Sequence, residues 1–281
     1  MKTNYQLRYA SNPRDAKNYD TTRLREEFLI PVLIVKNEVN LIYSIYDRMI
    51  IGGAMPVAEE LTLERVDPLE SDYFLQRREV GIFNVSRGTG VINVDGVKYQ
   101  LEYKEALYIG MGVKNVTFMS VDASNPAKFY FNSTPAHISF PTRKITKAEA
   151  ITSEPGSEEM ANHRIIKKMI VPEILQTCQL QMGMTELQSG SVWSDMPPHA
   201  HNRRMESFFC FEVPEGQAVC HFIGEPAETR HLWMQGNQAV WLPEWSVHTV
   251  VATTNYTFIW GMGGEDLDYG DQNFYKYTDL R

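Results

Sequence analysis

The chain contains two similar stretches in the same order, and this repeat limits the possible fold more than any other feature. Residues 106–117, ALYIGMGVKNVT, align without a gap with residues 239–250, AVWLPEWSVHTV, so that small, aliphatic, aromatic and turn positions coincide. Upstream of each stretch, a pair of arginines and a glutamate precede a strand-like apolar run. These motifs read Arg77-Arg78-Glu79 and Arg203-Arg204-Met205-Glu206. Two matches in one order indicate a duplicated domain.

Both copies are predicted to consist of β-strands. Short apolar runs alternate with turn residues, and Asp95-Gly96 lies between two such runs, as in a tight hairpin. This spacing is typical of a sandwich or barrel. The fold class that we expect is therefore all-β, a pair of β-barrel or jelly-roll domains with a few short helices. One helix is predicted to begin at Asp20, a residue type that caps helices.

The stretch between the two copies is polar. Residues 142–162 carry many charged, Ser and Thr side chains and few large apolar ones, as linkers do. We therefore predict an amino-terminal domain over residues 1–141, a linker over residues 142–164 and a carboxy-terminal domain over residues 165–281.

Composition restricts the class of protein. Hydrophobic residues make up 43% of the 281 residues and charged residues 22%, which excludes wholesale disorder. The net charge of -8 repels nucleic acid, although a local positive site can still hold a small anionic substrate. No apolar run is long enough to cross a bilayer, so no membrane partner is expected. No signal peptide is visible and the three cysteines lack CxxC spacing, so we expect a cytoplasmic protein.

Residues 198–206, PHAHNRRME, carry the most specific chemical signal. His199 and His201 are two positions apart on a predicted strand, so they project from the same face. Glu206 joins them only if the chain turns after His201 and a new strand begins at Glu206. His248 follows a turn-forming proline and supplies a third imidazole. Three imidazoles and a carboxylate in a β context predict one divalent metal ion per chain, among Zn, Fe, Mn, Co and Ni.

These motifs resemble those of the cupin superfamily, in which glycines flank an HxH pair and a glutamate, and a later Pro-x-Gly precedes a histidine. The matching residues are Gly190, His199, His201, Glu206 and Gly216 for the first motif, and Gly236, Pro243 and His248 for the second. Trp245 stands where the family favours glycine, and the glycines of the first motif lie further out than usual. The first copy has Asn115 at the position of His248 and no HxH pair, which implies a bicupin whose amino-terminal domain lacks metal ligands.

Eight segments spread over essentially the whole chain resemble a narrower family, 5-keto-4-deoxyuronate isomerase. They read RLREEFL, DRMIIGGAMP, YFLQRREVGIFN, PAKFYFNSTPAH, TCQLQMGMTEL, MPPHAHNRRME, PAETRH and YTFIWGMGGE. The resemblance implies an intramolecular oxidoreductase of pectin and uronide breakdown that converts 5-dehydro-4-deoxy-D-glucuronate into 3-deoxy-D-glycero-2,5-hexodiulosonate. It also implies zinc and a hexamer, and it places the metal ligands on His199, His201, Glu206 and His248.

Ketol isomerisation requires stabilisation of negative charge on oxygen and a base that moves a proton between adjacent carbons. Glu206 is a candidate for that base if the metal holds it loosely. Arg203 and Arg204 are candidates to clamp the substrate carboxylate, although a structural ion pair is an equal alternative. Trp245 is a candidate to touch the ligand because it lies three residues before His248. The roles of three further residues stay open: His137, Glu265 and Asp266.

Other interpretations of the same motifs stay open. An iron-dependent cupin dioxygenase uses the same kind of ligand set but consumes oxygen. A sugar-binding or regulatory bicupin keeps the pocket without turnover, and a storage-protein-like scaffold keeps only a structural metal. For the isomerase itself, the sequence is compatible both with proton transfer through an enediol and with a hydride shift.

Overall fold

The computed structural model describes residues 3–265 and 267–281, and within these ranges the chain is mainly β-structure, as the sequence predicts. The open role of Asp266 lies outside the described residues. The strands of the earlier part of the chain are β1 (Asn4–Arg8), β2 (Leu29–Ile30), β3 (Val39–Ser44), β4 (Ile50–Ala54), β5 (Leu61–Thr62), β6 (Arg78–Asn84), β7 (Gly90–Val94), β8 (Val97–Leu101), β9 (Ala106–Ile109), β10 (Val116–Ser120), β11 (Phe129–Pro135) and β12 (Arg143–Ile145). The later strands are β13 (Ile151–Ser153), β14 (Arg164–Ile170), β15 (Gln181–Leu187), β16 (Trp193–Ala200), β17 (Arg204–Phe211), β18 (Val219–Ile223), β19 (Arg230–Met234), β20 (Gln238–Leu242), β21 (His248–Ala252), β22 (Thr257–Gly264) and β23 (Asn273–Phe274).

The α-helices of the described chain are short and lie near its amino terminus: α1 (Pro13–Ala16) and α2 (Thr21–Phe28). The side chain of Asp20 accepts a hydrogen bond from the backbone N–H of Arg23, which confirms the predicted start of α2. Short 3-10 turns span Tyr46–Arg48, Asp67–Leu69, Pro226–Glu228 and Tyr277–Asp279. Within the described ranges, no helix has both the length and the apolar character needed to span a membrane.

The chain divides into two compact units, and neither is contiguous in sequence. The first unit contains Met1–Tyr9, Val32–Ala150 and Met169–Met182, and the second contains Ala10–Pro31, Ile151–Lys168 and Gly183–Arg281. These units depart from the predicted division at 1–141, 142–164 and 165–281. Residues 10–31 belong to the second unit because β2 pairs with β20 at the edge of its sheet. The predicted linker contains β12 and β13, both paired to neighbouring strands, in place of an unstructured connection.

Each unit is built on a larger and a smaller sheet, and the strand order recurs between the units. The first unit has the orders β1-β3-β4-β11-β6-β9-β12 and β5-β10-β7-β8. The second is built on the orders β13-β14-β15-β22-β17-β20-β2 and β19-β18-β21-β16-β23. Thus β3-β4-β11-β6-β9 corresponds to β14-β15-β22-β17-β20, and β5-β10-β7-β8 corresponds to β16-β21-β18-β19. The shared order agrees with the duplication that the sequence predicts.

The register of the strands shows what stands in the first unit at the position of Glu206. In the second unit, Glu206 on β17 pairs with Leu242 on β20. In the first unit, Val80 on β6 pairs with Ile109 on β9. The sequence repeat aligns Ile109 with Leu242, so Val80 takes the place of the glutamate. The first unit therefore has an apolar residue where the second has a carboxylate.

The first unit encloses its core between its two sheets. Phe118 of the smaller sheet and Phe129 of the larger sheet are buried in one hydrophobic cluster, with ring centroids 5.3 Å apart. The turn predicted between two strands is present as well. Asp95 and Gly96, with φ values of 47° and 93°, connect β7 to β8, because a two-residue hairpin turn requires positive φ at both positions.

Candidate metal centre

Four buried side chains of the second unit converge on one point: His199, His201, Glu206 and His248. Their potential ligand atoms all lie within 4.8 Å of one another. His199 near the end of β16 pairs with His248 at the start of β21, and His201 follows β16 directly. A bend then returns the chain so that Glu206 on β17 faces the same point. The turn that the sequence requires is present, although β17 begins at Arg204 and not at Glu206 as predicted.

The donor atoms are close enough to share one ion. Nε2 of His201 lies 3.3 Å from Oε2 of Glu206, and Nδ1 of His248 lies 3.1 Å from the same oxygen. Both ring nitrogens of His248 are buried, and its Nε2 has no hydrogen-bond partner among the described residues. Donors about 2.1 Å from a tetrahedral ion stand roughly 3.4 Å apart. The group therefore has the composition and the spacing of a site for a divalent metal.

Groups behind the cluster orient two of its imidazoles. Nδ1 of His201 lies 2.7 Å from Oδ1 of Asp271. Nδ1 of His199 lies 3.4 Å from the backbone oxygen of Pro197. Each contact engages Nδ1 and leaves Nε2 available to an ion. Carboxylates and backbone carbonyls commonly fix the tautomer of metal-binding histidines in this way.

Asp271 also neutralises a buried guanidinium. Nη2 of Arg204 lies 2.5 Å from Oδ1 of Asp271, and the side chain of Arg204 is 0% exposed. One carboxylate oxygen thus serves both the arginine and the imidazole of His201. The sequence gives no signal for this residue, because Asp271 lies 70 positions after His201 in a polar segment without a repeating pattern.

Burial and mutual contact set the charges of the cluster. Burial lowers the pKa of His199 to about 3, and it also lowers the pKa of His248. Burial alone would raise the pKa of Glu206, but the adjacent His201 and His248 hold that pKa well below its usual range. His201 differs, because its contacts with Asp271 and Glu206 outweigh burial and raise its pKa. An ionised carboxylate beside the neutral imidazoles of His199 and His248 is a combination that binds a metal, and binding would displace the proton that these contacts favour on His201.

The cluster borders a cavity of about 250 Å³ that is lined by His199, His201 and Glu206. Other polar residues along its wall are Arg164, Thr185, Asp195, Tyr269 and Gln272. Burial and the negative charge of Glu206 raise the pKa of Asp195 to about 7, so its carboxyl can exchange a proton near neutral pH. Sequence reasoning missed both Asp195 and Arg164. Asp195 lies on β16, four positions before His199, but belongs to no motif, and Arg164 begins β14, a strand distant in sequence from the histidines.

The residues predicted to contact the substrate carboxylate or ring lie elsewhere. Arg203, Arg204 and Trp245 are not among the described residues that line this cavity. Arg204 is held by its ion pair with Asp271, as described above. Trp245 packs edge-on against Phe28 of α2, with ring centroids 6.1 Å apart. Substrate contact by Arg203, Arg204 and Trp245 stays a prediction.

Two residues whose roles the sequence left open also lie away from the cavity wall. His137 is exposed just after β11 in the first unit. Glu265 is exposed, and its Oε2 lies 3.2 Å from Nε of Arg203. An exposed ion pair of this kind contributes little to stability.

The KduI/IolB family matches residues 29–277, and the chain belongs to this family. The 4-deoxy-L-threo-5-hexosulose-uronate ketol-isomerase 1 of Bacteroides thetaiotaomicron is 62% identical over 281 residues, which cover 100% of both chains. The 4-deoxy-L-threo-5-hexosulose-uronate ketol-isomerase of Bacteroides fragilis is 61% identical over 281 residues, again with 100% of both chains covered. The resemblance expected from the sequence motifs is confirmed.

Solved structures share the fold at low sequence identity. An IolB-like protein from Salmonella typhimurium gives a TM-score of 0.66 at 14% identity, covering 81% of this chain and 87% of its own. The oxalate decarboxylase of Lactobacillus farciminis, in a formate complex, gives a TM-score of 0.56 at 9% identity, covering 80% of this chain and 79% of its own. At such identities the likeness concerns the fold alone, and it agrees with the predicted all-β, cupin-like architecture.

Substitution of Asp271 tests the contacts behind the cluster. Asp271→Ala leaves the buried guanidinium of Arg204 without its carboxylate, so we expect the free energy of unfolding to fall by roughly 3 kcal/mol. Asp268→Ala, an exposed carboxylate in the same segment, is the matched control and should change it by less than about 1 kcal/mol. Urea denaturation measures both variants, and equal losses would show that the buried pair is not what stabilises this segment.

Proposed function

We propose that this protein is a metal-dependent ketol isomerase that converts 5-dehydro-4-deoxy-D-glucuronate into 3-deoxy-D-glycero-2,5-hexodiulosonate. The observation that carries the proposal is the buried group of three imidazoles and one carboxylate at the wall of a cavity. The substrate is supported by membership of the KduI/IolB family and by its similarity to the 4-deoxy-L-threo-5-hexosulose-uronate ketol-isomerases described above.

The residues that would hold the ion are His199, His201, Glu206 and His248. When bound, a divalent ion supplies positive charge that stabilises the negative charge developing on the substrate oxygens. Three neutral imidazoles and one carboxylate leave about one positive charge of the ion uncompensated, which favours an anionic sugar. The protein's contribution is to fix the ligands in position and to keep the carboxylate ionised.

Arg164 is the side chain that we assign to the substrate carboxylate. It lines the cavity, and its Nη1 donates a hydrogen bond of 2.9 Å to the backbone oxygen of Asn162. Its Nη2 lies 3.4 Å from the backbone oxygen of Met196. These contacts orient the guanidinium through neutral groups and leave its charge for an anionic ligand.

Asp195 is the side chain that we assign to proton transfer between adjacent carbons. A base for this step works best when its pKa lies near the operating pH. The pKa of Asp195 is raised to about 7 by burial and by Glu206, and Asp195 lines the same cavity as His199. Glu206, the base that the sequence proposes, is packed between His201 and His248, which lower its pKa. Proton transfer by Glu206 stays a prediction, and Asp195 is the stronger candidate.

The identity of the metal, the assembly and the compartment belong to the same proposal. We expect zinc, a homo-hexamer and a cytoplasmic role in pectin and uronide breakdown, because the motifs of the chain resemble those of that enzyme family. The alternatives differ in what they consume. A non-catalytic sugar-binding bicupin leaves the sugar acid unchanged, and an iron dioxygenase uses oxygen.

Turnover of 5-dehydro-4-deoxy-D-glucuronate by the purified protein tests the proposal. Because the ion stabilises the developing charge, we expect the rate to fall at least about 100-fold after chelation and to return with Zn²⁺. His248→Ala should lose metal and turnover together. Asn115→Ala, at the aligned position of the first copy, is the matched control and should keep both. Undiminished turnover after complete removal of metal, or oxygen consumption equal to substrate loss, would contradict the proposal.

The pH dependence of turnover tests the role of Asp195. A base must be deprotonated to accept a proton, so kcat/KM of the wild type should fall as the pH drops below about 7. Asp195→Asn should lower kcat by roughly 100-fold to 10,000-fold and abolish this limb, with metal content unchanged. Asp268→Asn, an exposed carboxylate, controls for the lost charge. If Asp195→Asn keeps the wild-type rate and profile, the proton is carried by another group.

A further inference from the structure

The first unit contains a second cavity, whose lining is polar and positively charged. Its volume is about 270 Å³, comparable with the 250 Å³ of the cavity at the metal centre. Three arginines line it, and no acidic residue does so in the part of the chain that the structure describes. The lining residues that matter here are Tyr43, Arg48, Ser71, Phe74, Arg77 and Arg78.

Arg78 is buried at the wall of this cavity with only neutral hydrogen-bond partners. Its Nε lies 3.0 Å from Oγ of Ser133, and its Nη2 donates to the backbone oxygens of Ser133, at 2.7 Å, and Arg48, at 2.6 Å. Its guanidinium also lies 5.7 Å from the ring centroid of Tyr43. None of the carboxylates in the described ranges forms an ion pair with it. Burial accordingly lowers the pKa of Arg78 to about 10.

The nearest carboxylate in sequence is committed to other donors. Glu79 is 0% exposed and accepts hydrogen bonds from the hydroxyls of Tyr108 and Thr134, at 2.7 and 3.2 Å. Its two oxygens also accept from three successive backbone N–H groups, those of residues 178, 179 and 180. Glu79 therefore acts on the guanidinium of Arg78 only through space.

The repeat supplies a direct comparison for this arginine. Val80 and Glu206 occupy equivalent places in the two units. Arg78 lies two positions before Val80, and Arg204 lies two positions before Glu206. Each is the first residue of its strand. Arg204 has a carboxylate partner, Asp271, at 2.5 Å, whereas Arg78 lacks one within the described chain. A buried charge without an ionic partner is costly, so an anion from solution would compensate it.

Two exposed arginines extend the positive charge towards the mouth of the cavity. Arg77 directs its Nη2 to the backbone oxygens of Leu69 and Glu70, so its hydrogen bonds again leave the charge uncompensated. Arg48 contributes a third guanidinium and, through its backbone oxygen, holds Arg78 in place. Forked guanidinium groups match the oxygens of carboxylates and phosphates.

We propose that this cavity binds the oxyanion group of a small sugar-sized molecule, a carboxylate or a phosphate, at a site separate in sequence and in residues from the metal centre. The guanidinium groups of Arg48, Arg77 and Arg78 bind the anion. Tyr43 and Ser71 add hydroxyls to the lining, and that of Ser71, which donates to the backbone oxygen of Tyr73, can still accept a hydrogen bond from the polar part of the ligand. The site does not depend on the isomerase activity proposed above.

Calorimetric titration of the metal-loaded protein tests this site, with D-galacturonate and inorganic phosphate as separate probes at about 0.15 M salt. We expect saturable binding that weakens at least about tenfold in Arg48→Gln/Arg77→Gln, because two of the three charges are removed. Both positions are exposed, so the fold and the isomerase rate should not change. Lys98→Gln/Lys114→Gln removes the same charge from exposed positions of the same unit and should keep the affinity.

The two probes distinguish the chemistry of the ligand. Binding of galacturonate alone assigns the site to sugar acids, and binding of phosphate alone assigns it to phosphorylated compounds. Absence of binding of both probes to the wild-type protein overturns the inference. Binding that persists in the double arginine variant and disappears on chelation belongs to the metal centre and overturns it as well. Either failure leaves the turnover of the uronate unaffected.

Discussion

The buried carboxylate of Glu206 is the constraint on which the second unit depends. A carboxylate removed from water is costly unless nearby groups compensate its charge. Here His201 and His248 lie against one of its oxygens, while Asp271 and Arg204 form an ion pair behind His201. The same packing keeps the carboxylate ionised. Asp271 contacts Nδ1 of His201, the ring nitrogen that does not face Glu206. Burial therefore prepares a site that a divalent ion completes.

The two units share a strand order but differ at the position of the buried carboxylate. The strand orders of the two units correspond, but Val80 stands where Glu206 stands, and Asn115 aligns with His248. Because Val80 is apolar, the first unit has no carboxylate at this position whose charge imidazoles could compensate. The arginine at the start of this strand is kept in both units, with a carboxylate partner in the second and only neutral hydrogen-bond partners in the first. Divergence of a few side chains thus changes what each cavity can bind.

The sequence predicts the all-β fold, the duplication and the metal cluster, because these depend on short patterns. The two-residue spacing of His199 and His201 fixes a common face whatever the rest of the chain does. Asp271 and Arg164 could not be predicted, because they reach the site only through tertiary folding. The Arg203-Arg204 motif does not reveal the partner of its second arginine. Arg204 pairs with Asp271, which no sequence pattern marks. Residues 10–31 belong to the second unit through β2, which has only two residues and no sequence pattern of its own.

X-ray absorption spectroscopy of the metal in the purified protein tests the central claim most directly. We predict one divalent ion per chain, surrounded by nitrogen and oxygen donors at about 2.0–2.2 Å, with the multiple-scattering pattern of imidazole. That pattern should weaken in His199→Ala, which removes one of the three imidazoles. A shell that contains sulfur from the buried cysteines, or an imidazole pattern that persists unchanged in this variant, would contradict the account.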